Sequence, residues 1–258
     1  MFICRKIVRY IMNKYLINYA AKGANWASNT PNDGYFNAQK INSQTGLEIA
    51  GFDEVINYGF NSLSDDFVKN HQKHFQYKRG AGYWAWKPQI LVNTLSKVNY
   101  GDIVMYSDSG CHFIHSMNPI FEILENTEKK ILVFQLAQTE DCWTKRDCFI
   151  EMGCDTPEFV YSKQIMSTFF LCKKTDFSLF IANEWQRMIS DFHMVADESV
   201  SPSVNGNYPN FQEHRHDQSL LSLICKKHKV SCMEDITEWG NPELRCTPQI
   251  VSHTRRRD

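Results

Sequence analysis

The sequence predicts an α/β fold, a three-layer α/β/α domain around a mostly parallel central sheet. Three observations predict it. Short apolar runs of strand composition recur along the chain: "KYLINYA" (14–20), "FDEVINYG" (52–59), "DIVMYS" (102–107), "KILVFQL" (130–136) and "QIMSTFFLCKK" (164–174). Segments with helical spacing or capping chemistry separate most of these runs, the pattern of a sheet covered on both faces. Hydrophobic residues make up 43% of the 258, and aromatics 13%, enough for a sizeable core.

Each element has its own reason. "KYLINYA" reads as a first buried strand, and "NTPNDG" (29–34) is turn chemistry. Residues 36–49 carry a helical pattern, and the strand at 52–59 ends on a glycine. Ser64 caps a helical stretch, "SDDFVKNHQKHF". Pro88 suits the first turn of "PQILVNTLSKV", where Ile90, Leu91, Leu95 and Val98 share a helix face. A strand at 102–107, a helix near 118–125 and a strand at 130–136 follow. The run 164–174 reads as one further strand. Thr175 caps a long helix to about Met194, apolar at Leu179, Ile181, Trp185 and Ile189. Pro202, Gly206, Asn207 and Pro209 mark 195–213 as a mobile loop. Residues 217–228 form a helix with Leu220, Leu221, Leu223 and Ile224 on one side, and "PQIVSH" (248–253) is a last strand. Residues 14–253 thus form one domain, with an N-terminal extension (1–13) and a basic tail (254–258).

Charge and cysteine usage exclude several classes. The chain has 28 basic and 29 acidic residues, so the basic surplus expected of a nucleic-acid binder is missing. Nine cysteines, an odd number, show no C-x-x-C spacing, which removes zinc-ribbon and thioredoxin-like readings. A reducing, cytoplasmic setting is expected. No uncharged apolar run is long enough to span a bilayer. For "MFICRKIVRYIMNKY" two readings stay open: a basic amphipathic segment on an anionic membrane surface, or an extension upstream of Met12. "TRRRD" reads first as a solvated tail and second as a contact for a membrane or an acidic partner.

Three motifs carry candidate chemistry. "GDIVMYSDSG" ends a strand in Ser107, Asp108 and Ser109. A carboxylate there can bind Mg²⁺ or Mn²⁺, accept from a ribose, or simply turn the chain. In open α/β sheets ligands sit beyond the carboxyl ends of the strands, which marks Asp108 together with Tyr19 and Ala20. "RGAGYWAWKP" packs Tyr83, Trp84 and Trp86 between Arg79 and Lys87. Its rings can stack on a base or sugar and its cations can hold phosphate, or the rings pack the core and the cations are solvated. "EHRHDQSLL" places His214, His216, Asp217 and Gln218 at a helix start. Asp217 is there an N-cap or a group presented to a cleft. His71 and His74 read as a solvated helix face, and His253 as a metal or phosphate ligand or an exposed histidine. P-loop, G-x-G-x-x-G and G-x-S-x-G motifs are absent.

Together, "RGAGYWAWKPQIL", "GDIVMYSDSGCHF" and "HRHDQSLLSLI" resemble a group of nucleotide-sugar glycosyltransferases of the GT-A fold, found in bacterial surface-polysaccharide gene sets and large DNA viruses. "INYA" and "GFDEVINYG" are similar to that group's first two strands, and the resemblance covers residues 14–253. It implies a single GT-A-like domain that binds a nucleotide-diphosphate sugar and moves the sugar to a saccharide or lipid-linked acceptor. The setting it implies is surface polysaccharide or lipopolysaccharide synthesis, cytoplasmic or peripheral at the inner face of the membrane. "YSDSG" stands where many such enzymes carry Asp-x-Asp, but the second position is Gly110. Asp108 is thus left to bind a divalent cation (Mn²⁺ or Mg²⁺) alone, with water or with His253, and metal dependence stays open. The donor-binding set comprises Tyr19, Ala20, Arg79, Tyr83, Trp84, Lys87, Ser107, Asp108, Ser109, His216 and Gln218. Asp217 is the candidate catalytic residue, and the 195–213 loop is expected to close over the donor. The alternatives are a nucleotide- or carbohydrate-binding module without turnover and a nucleotidyltransferase on a similar scaffold.

Overall fold

The computed structural model describes residues 12–22, 34–243 and 248–253. The N-terminal extension up to residue 11, most of the 29–34 turn and the basic tail lie outside the described residues.

The chain begins with β1 (Lys14–Ala20), α1 (Gly34–Thr45), a π-helical turn (Gly46–Ala50) and β2 (Glu54–Gly59). Next come α2 (Asp65–Asn70), α3 (Gln72–Phe75), α4 (Trp86–Lys97), β3 (Ile103–Ser107), β4 (His112–Phe113), α5 (Asn118–Asn126) and β5 (Ile131–Thr139). Three short helices follow: α6 (Glu140–Trp143), α7 (Arg146–Glu151) and α8 (Pro157–Val160). The chain continues through β6 (Lys163–Ile165), β7 (Phe169–Lys173), α9 (Asp176–Ile189), α10 (Phe192–Val195), α11 (Asp217–Lys227), β8 (Ser231–Glu234) and β9 (Val251–Ser252).

The central sheet has seven strands in the order β2-β1-β3-β7-β5-β6, with β8 also on β5. β1, β2, β3, β5 and β8 run one way, and β6 and β7 oppose them, so the sheet is mostly parallel as expected. After β2 the chain crosses back over β1 to lay β3 on its other side. That reversal opens a crevice at the carboxyl ends of β1 and β3, where open α/β sheets bind ligands.

Strand alternation builds the two outer layers. Ile17, Val104, Tyr106, Val133 and Cys172 face a core made with α4, α9 and α11. Leu16, Ile103, Met105, Leu132 and Leu171 face a second core with α5 and β9. Caps fall where sequence places them. Ser64 Oγ accepts from Phe67 N at 3.2 Å, and Thr175 forms a capping box with Ser178.

Several boundaries differ from expectation. The single strand expected at 164–174 is two, β6 and β7, interrupted at Met166–Thr168. Both pair antiparallel with β5, on the side away from β8, so they form one line with a break. The long helix after Thr175 ends at Ile189, and Asp191 caps α10 by accepting from His193 N at 2.9 Å. Expected as solvated, His71 and His74 are buried and hydrogen-bonded to Ser190 and to the Ile189 carbonyl. The 195–213 segment is stitched to its surroundings. Asp147 accepts from Val204 N at 2.7 Å and from Asn205 Nδ2 at 2.8 Å, and Lys145 Nζ donates to the Ser201 carbonyl at 2.9 Å. The seven cysteines among the described residues form no disulfide, and no described helix is long and apolar enough to cross a membrane.

Trp185 is the largest fully buried side chain. Its indole meets Phe170 edge-on, and Nε1 donates to the Asp217 carbonyl at 3.0 Å. Trp185→Ala is expected to cost about 3–5 kcal/mol, measured as a fall in the urea unfolding midpoint with unchanged slope.

Candidate active site

A cavity of about 200 Å³ occupies the crevice between the carboxyl ends of β1 and β3. β1 contributes Tyr19 and Ala20, and the turn after β3 contributes Asp108, Ser109 and Gly110. Ser109 Oγ ties the two ends together by donating to the Tyr19 carbonyl at 2.7 Å. The "RGAGYWAWKP" corner supplies Arg79, Trp84, Trp86 and Lys87, and the start of α11 supplies His216, Asp217 and Gln218. The three remote motifs thus meet over one space.

Lys87 lies at their centre. It sits in the first turn of α4, and its side chain is 1% exposed. Its Nζ lies 2.8 Å from Asp217 Oδ2 and 3.3 Å from Asp108 Oδ1. It also donates to the Ser167 carbonyl at 3.1 Å and stands 4.8 Å from the Tyr106 ring centre. Burial works against its charge, but Asp108 and Asp217 outweigh it, and the ammonium pKa ends above its ordinary value. Burial raises the Asp217 carboxyl above its ordinary range, with Lys87 and Ser167 pulling part of the way back. Asp217 does not cap its helix, whose N-cap position is His216; its Oδ2 accepts from Lys87 and from Ser167 Oγ, which donates at 2.7 Å. Asp108 Oδ1 accepts from Tyr106 Oη at 2.6 Å, a phenol that burial and Asp108 keep neutral.

The turn carrying the aromatic corner is left-handed. Gly80, Ala81, Gly82, Tyr83 and Trp84 all have positive φ, between 50° and 96°. L-residues pay about 1–2 kcal/mol each for this conformation. A Cβ on Gly80 would stand 2.3 Å from the Trp84 indole, so glycine is required at that point. His216 is strained as well, with φ 54° and ψ −120°. These segments hold one another. The His216 ring stacks against Tyr83 and Trp84, with centroids 5.1 and 5.3 Å away. Arg79 pairs with Asp197 at 2.6 Å and Glu213 at 3.2 Å, and Tyr83 Oη donates to Asp197 at 3.0 Å. His216 is neutral, its pKa lowered to about 3 by burial and by Arg79. Its Nδ1 faces the Val195 carbonyl at 2.6 Å and so carries the proton, leaving Nε2 as an acceptor.

Most of the predicted site residues reach the cavity: Tyr19, Ala20, Arg79, Trp84, Lys87, Asp108, Ser109, His216, Asp217, Gln218 and His253. Two do not. Ser107 faces the opposite side of β3, buried, and accepts from Asn42 Nδ2 at 3.1 Å, because strand alternation turns it away from Asp108. Tyr83 lies behind the cavity wall, its hydroxyl spent on Asp197. Lys87 and Arg79 are committed to carboxylates rather than standing as isolated phosphate cations. No residue of 195–213 lines the cavity, so the expected lid is not part of its wall.

Asp108 and His253 line the same cavity, but among the described residues no three His, Cys, Asp or Glu side chains gather as a metal-ligating group. One Asp108 oxygen is already held by an ammonium and a phenol. The protein side chains alone therefore do not make up a divalent-cation site.

Sequence reasoning missed Tyr106, Ser167, Thr168 and Arg215, which also line the cavity. Tyr106 was readable, since it shares a strand face with Asp108. Ser167 and Thr168 were hidden because the break between β6 and β7 lies inside an apolar run.

No family model matches the chain, and no curated protein matches it in sequence. Among solved structures it is similar to apo mouse xyloside xylosyltransferase 1, at 11% identity and TM-score 0.50, covering 94% of this chain and 97% of that one. It is also aligned with the galactosyltransferase LgtC in complex with donor and acceptor sugar analogs, at 11% identity and TM-score 0.47, covering 93% and 86%. The first likeness shows the fold, which is of the GT-A type.

Proposed function

We propose that this chain is a glycosyltransferase that moves a sugar from a nucleoside-diphosphate donor to a hydroxyl of a saccharide or glycolipid acceptor. The observation that carries this reading is the Asp108–Lys87–Asp217 cluster at the floor of the cavity over β1 and β3. The catalytic unit spans residues 14–253. On the resemblance of its three motifs, the acceptor belongs to surface polysaccharide or lipopolysaccharide synthesis, on the cytoplasmic side.

The chemistry follows from the charges. The bond from the anomeric carbon to the diphosphate oxygen breaks, and its electron pair leaves with the diphosphate. The anomeric carbon gains positive character, and two carboxylates around one ammonium present a net negative face to it. The acceptor oxygen bonds to that carbon and its proton passes to Asp217. A raised pKa makes Asp217 a better proton acceptor than an ordinary carboxylate. Lys87 keeps it ionised and fixed, with Ser167 as second anchor. Arg79 and Arg215 also line the cavity wall, but Arg79 is paired with Asp197 and Glu213 and Arg215 with Glu213, so holding the diphosphate there requires them to exchange carboxylate for phosphate oxygens. The Tyr19–Trp86 pair, stacked at 3.7 Å, gives the cavity an apolar stretch of wall.

Thermal-shift screening against UDP, GDP, CMP and dTDP sugars, with release of the nucleotide measured in the presence of acceptors, tests the reading. Binding with no release under any acceptor would favour a binding module instead. Asp108→Ala is expected to abolish turnover while leaving the circular dichroism spectrum intact. Asp217→Asn is expected to lower kcat by about 100-fold or more, with the donor KM within a few fold of wild type.

Two pH experiments follow from the cluster. Activity requires ionised Asp217, so kcat/KM should fall on acidification with an apparent pKa above the ordinary carboxylate value of about 4. Asp217→Asn should remove that acid limb. Lys87→Met leaves two carboxylates without their ammonium, so folded Asp217 binds its proton more tightly still. The folded state then holds more protons than the unfolded state above about pH 4, and stability falls as pH rises. Lys87→Met should therefore melt well below wild type at pH 7 and recover part of the deficit at pH 5.

A further inference from the structure

A second cavity, of about 220 Å³, opens beside the first. The two share Thr168, Arg215, Gln218 and His253 in their walls, so they adjoin across these side chains. Its far side carries two indoles, Trp143 and Trp239. Trp239 is 76% exposed, so its indole is open to solvent at the cavity rim. The segment carrying it is built. Asp235 accepts from Thr237 N and from Thr237 Oγ1, both at 2.8 Å, and Thr237 Oγ1 accepts from Trp239 N at 3.3 Å. This chain of bonds fixes the backbone of Trp239 at the rim of the cavity.

The charged groups in the wall do not favour an anion. Arg215 pairs with Glu213 at 3.0 Å and stacks over Trp143 at 4.1 Å. Asp235 spends both oxygens on Thr237. What remains is an aromatic face, the amide of Gln138, and no surplus of positive charge, since Arg215 is paired with Glu213 and Asp235 is itself acidic. A pyranose ring has the complementary form, one apolar C–H face and a rim of hydroxyls, whereas a phosphate or sugar acid would call for unbalanced cations.

We propose that this second cavity is the acceptor subsite, and that it takes a neutral pyranose stacked on Trp239. The reacting hydroxyl crosses the shared wall at Gln218 and His253 towards Asp217. The assignment to an acceptor rests on the glycosyltransferase reading above; the saccharide binding itself rests on the cavity.

The test uses the full chain on an array of neutral, sialylated and phosphorylated oligosaccharides, comparing wild type with Trp239→Ala and Trp239→Phe. Wild type is expected to bind neutral glycans, Trp239→Ala to bind them at least tenfold more weakly, and Trp239→Phe to recover most of the loss because it keeps a ring. Binding confined to anionic glycans, equal binding by Trp239→Ala, or no glycan bound would each overturn the proposal. Donor turnover is measured on the same preparations with UDP-glucose, UDP-galactose and GDP-mannose. Turnover together with a Trp239→Ala variant of undiminished glycan affinity removes the subsite and leaves transfer standing. Glycan binding through Trp239 with no donor bound removes transfer, and with it the acceptor role, and leaves a saccharide site.

Discussion

Everything at this site depends on one buried ammonium. Taking a lysine charge out of water costs several kcal/mol even after relaxation, and Lys87 is 1% exposed. It is tolerable only because two carboxylates, a carbonyl and a hydroxyl converge on it. Those partners come from the turn after β3, from α11 and from the break between β6 and β7. The ion cluster therefore locks three remote parts of the chain into one geometry. Loss of Lys87 would leave two buried carboxylates without a counter-ion, whereas loss of either carboxylate leaves an ion pair, and a buried cluster of this kind acts as a register for the site more than as a net source of stability.

The strain around the cluster has the same origin. Five successive positive φ values and a strained His216 are unfavourable where three of the turn residues are not glycine. They persist because Arg79, Tyr83 and Asp197 bind the turn to the segment after α10, and because His216 stacks with Tyr83 and Trp84. The reversed turn swings Trp84 to the cavity wall and then starts α4 with Lys87 facing inward. Behind α11 a second polar chain supports Gln218. Its amide donates to Gln164, Gln164 donates to buried Glu140, and Glu140 is paired with Lys226 at 2.7 Å. Ser167, held by Gln218 and Asp217 together, stands where the two networks meet.

The sequence by itself determined the layers, because alternation in 14–20, 103–107 and 131–134 sends successive side chains to opposite cores by local geometry alone. It also marked Asp108, Lys87 and Asp217, because a strand end, a proline-started helix and a polar helix tip are local signals. It could not determine that Lys87 is internal rather than phosphate-facing, since its neutralising partners lie 21 and 130 residues away in the chain. Nor could it show that Ser107 turns away, that β6 and β7 are separate, or that β8 exists, since those depend on which strand lies alongside. Only the tertiary structure decided the role of each charge: burial and pairing set whether a cation is spent or available, and both are properties of neighbours distant in sequence.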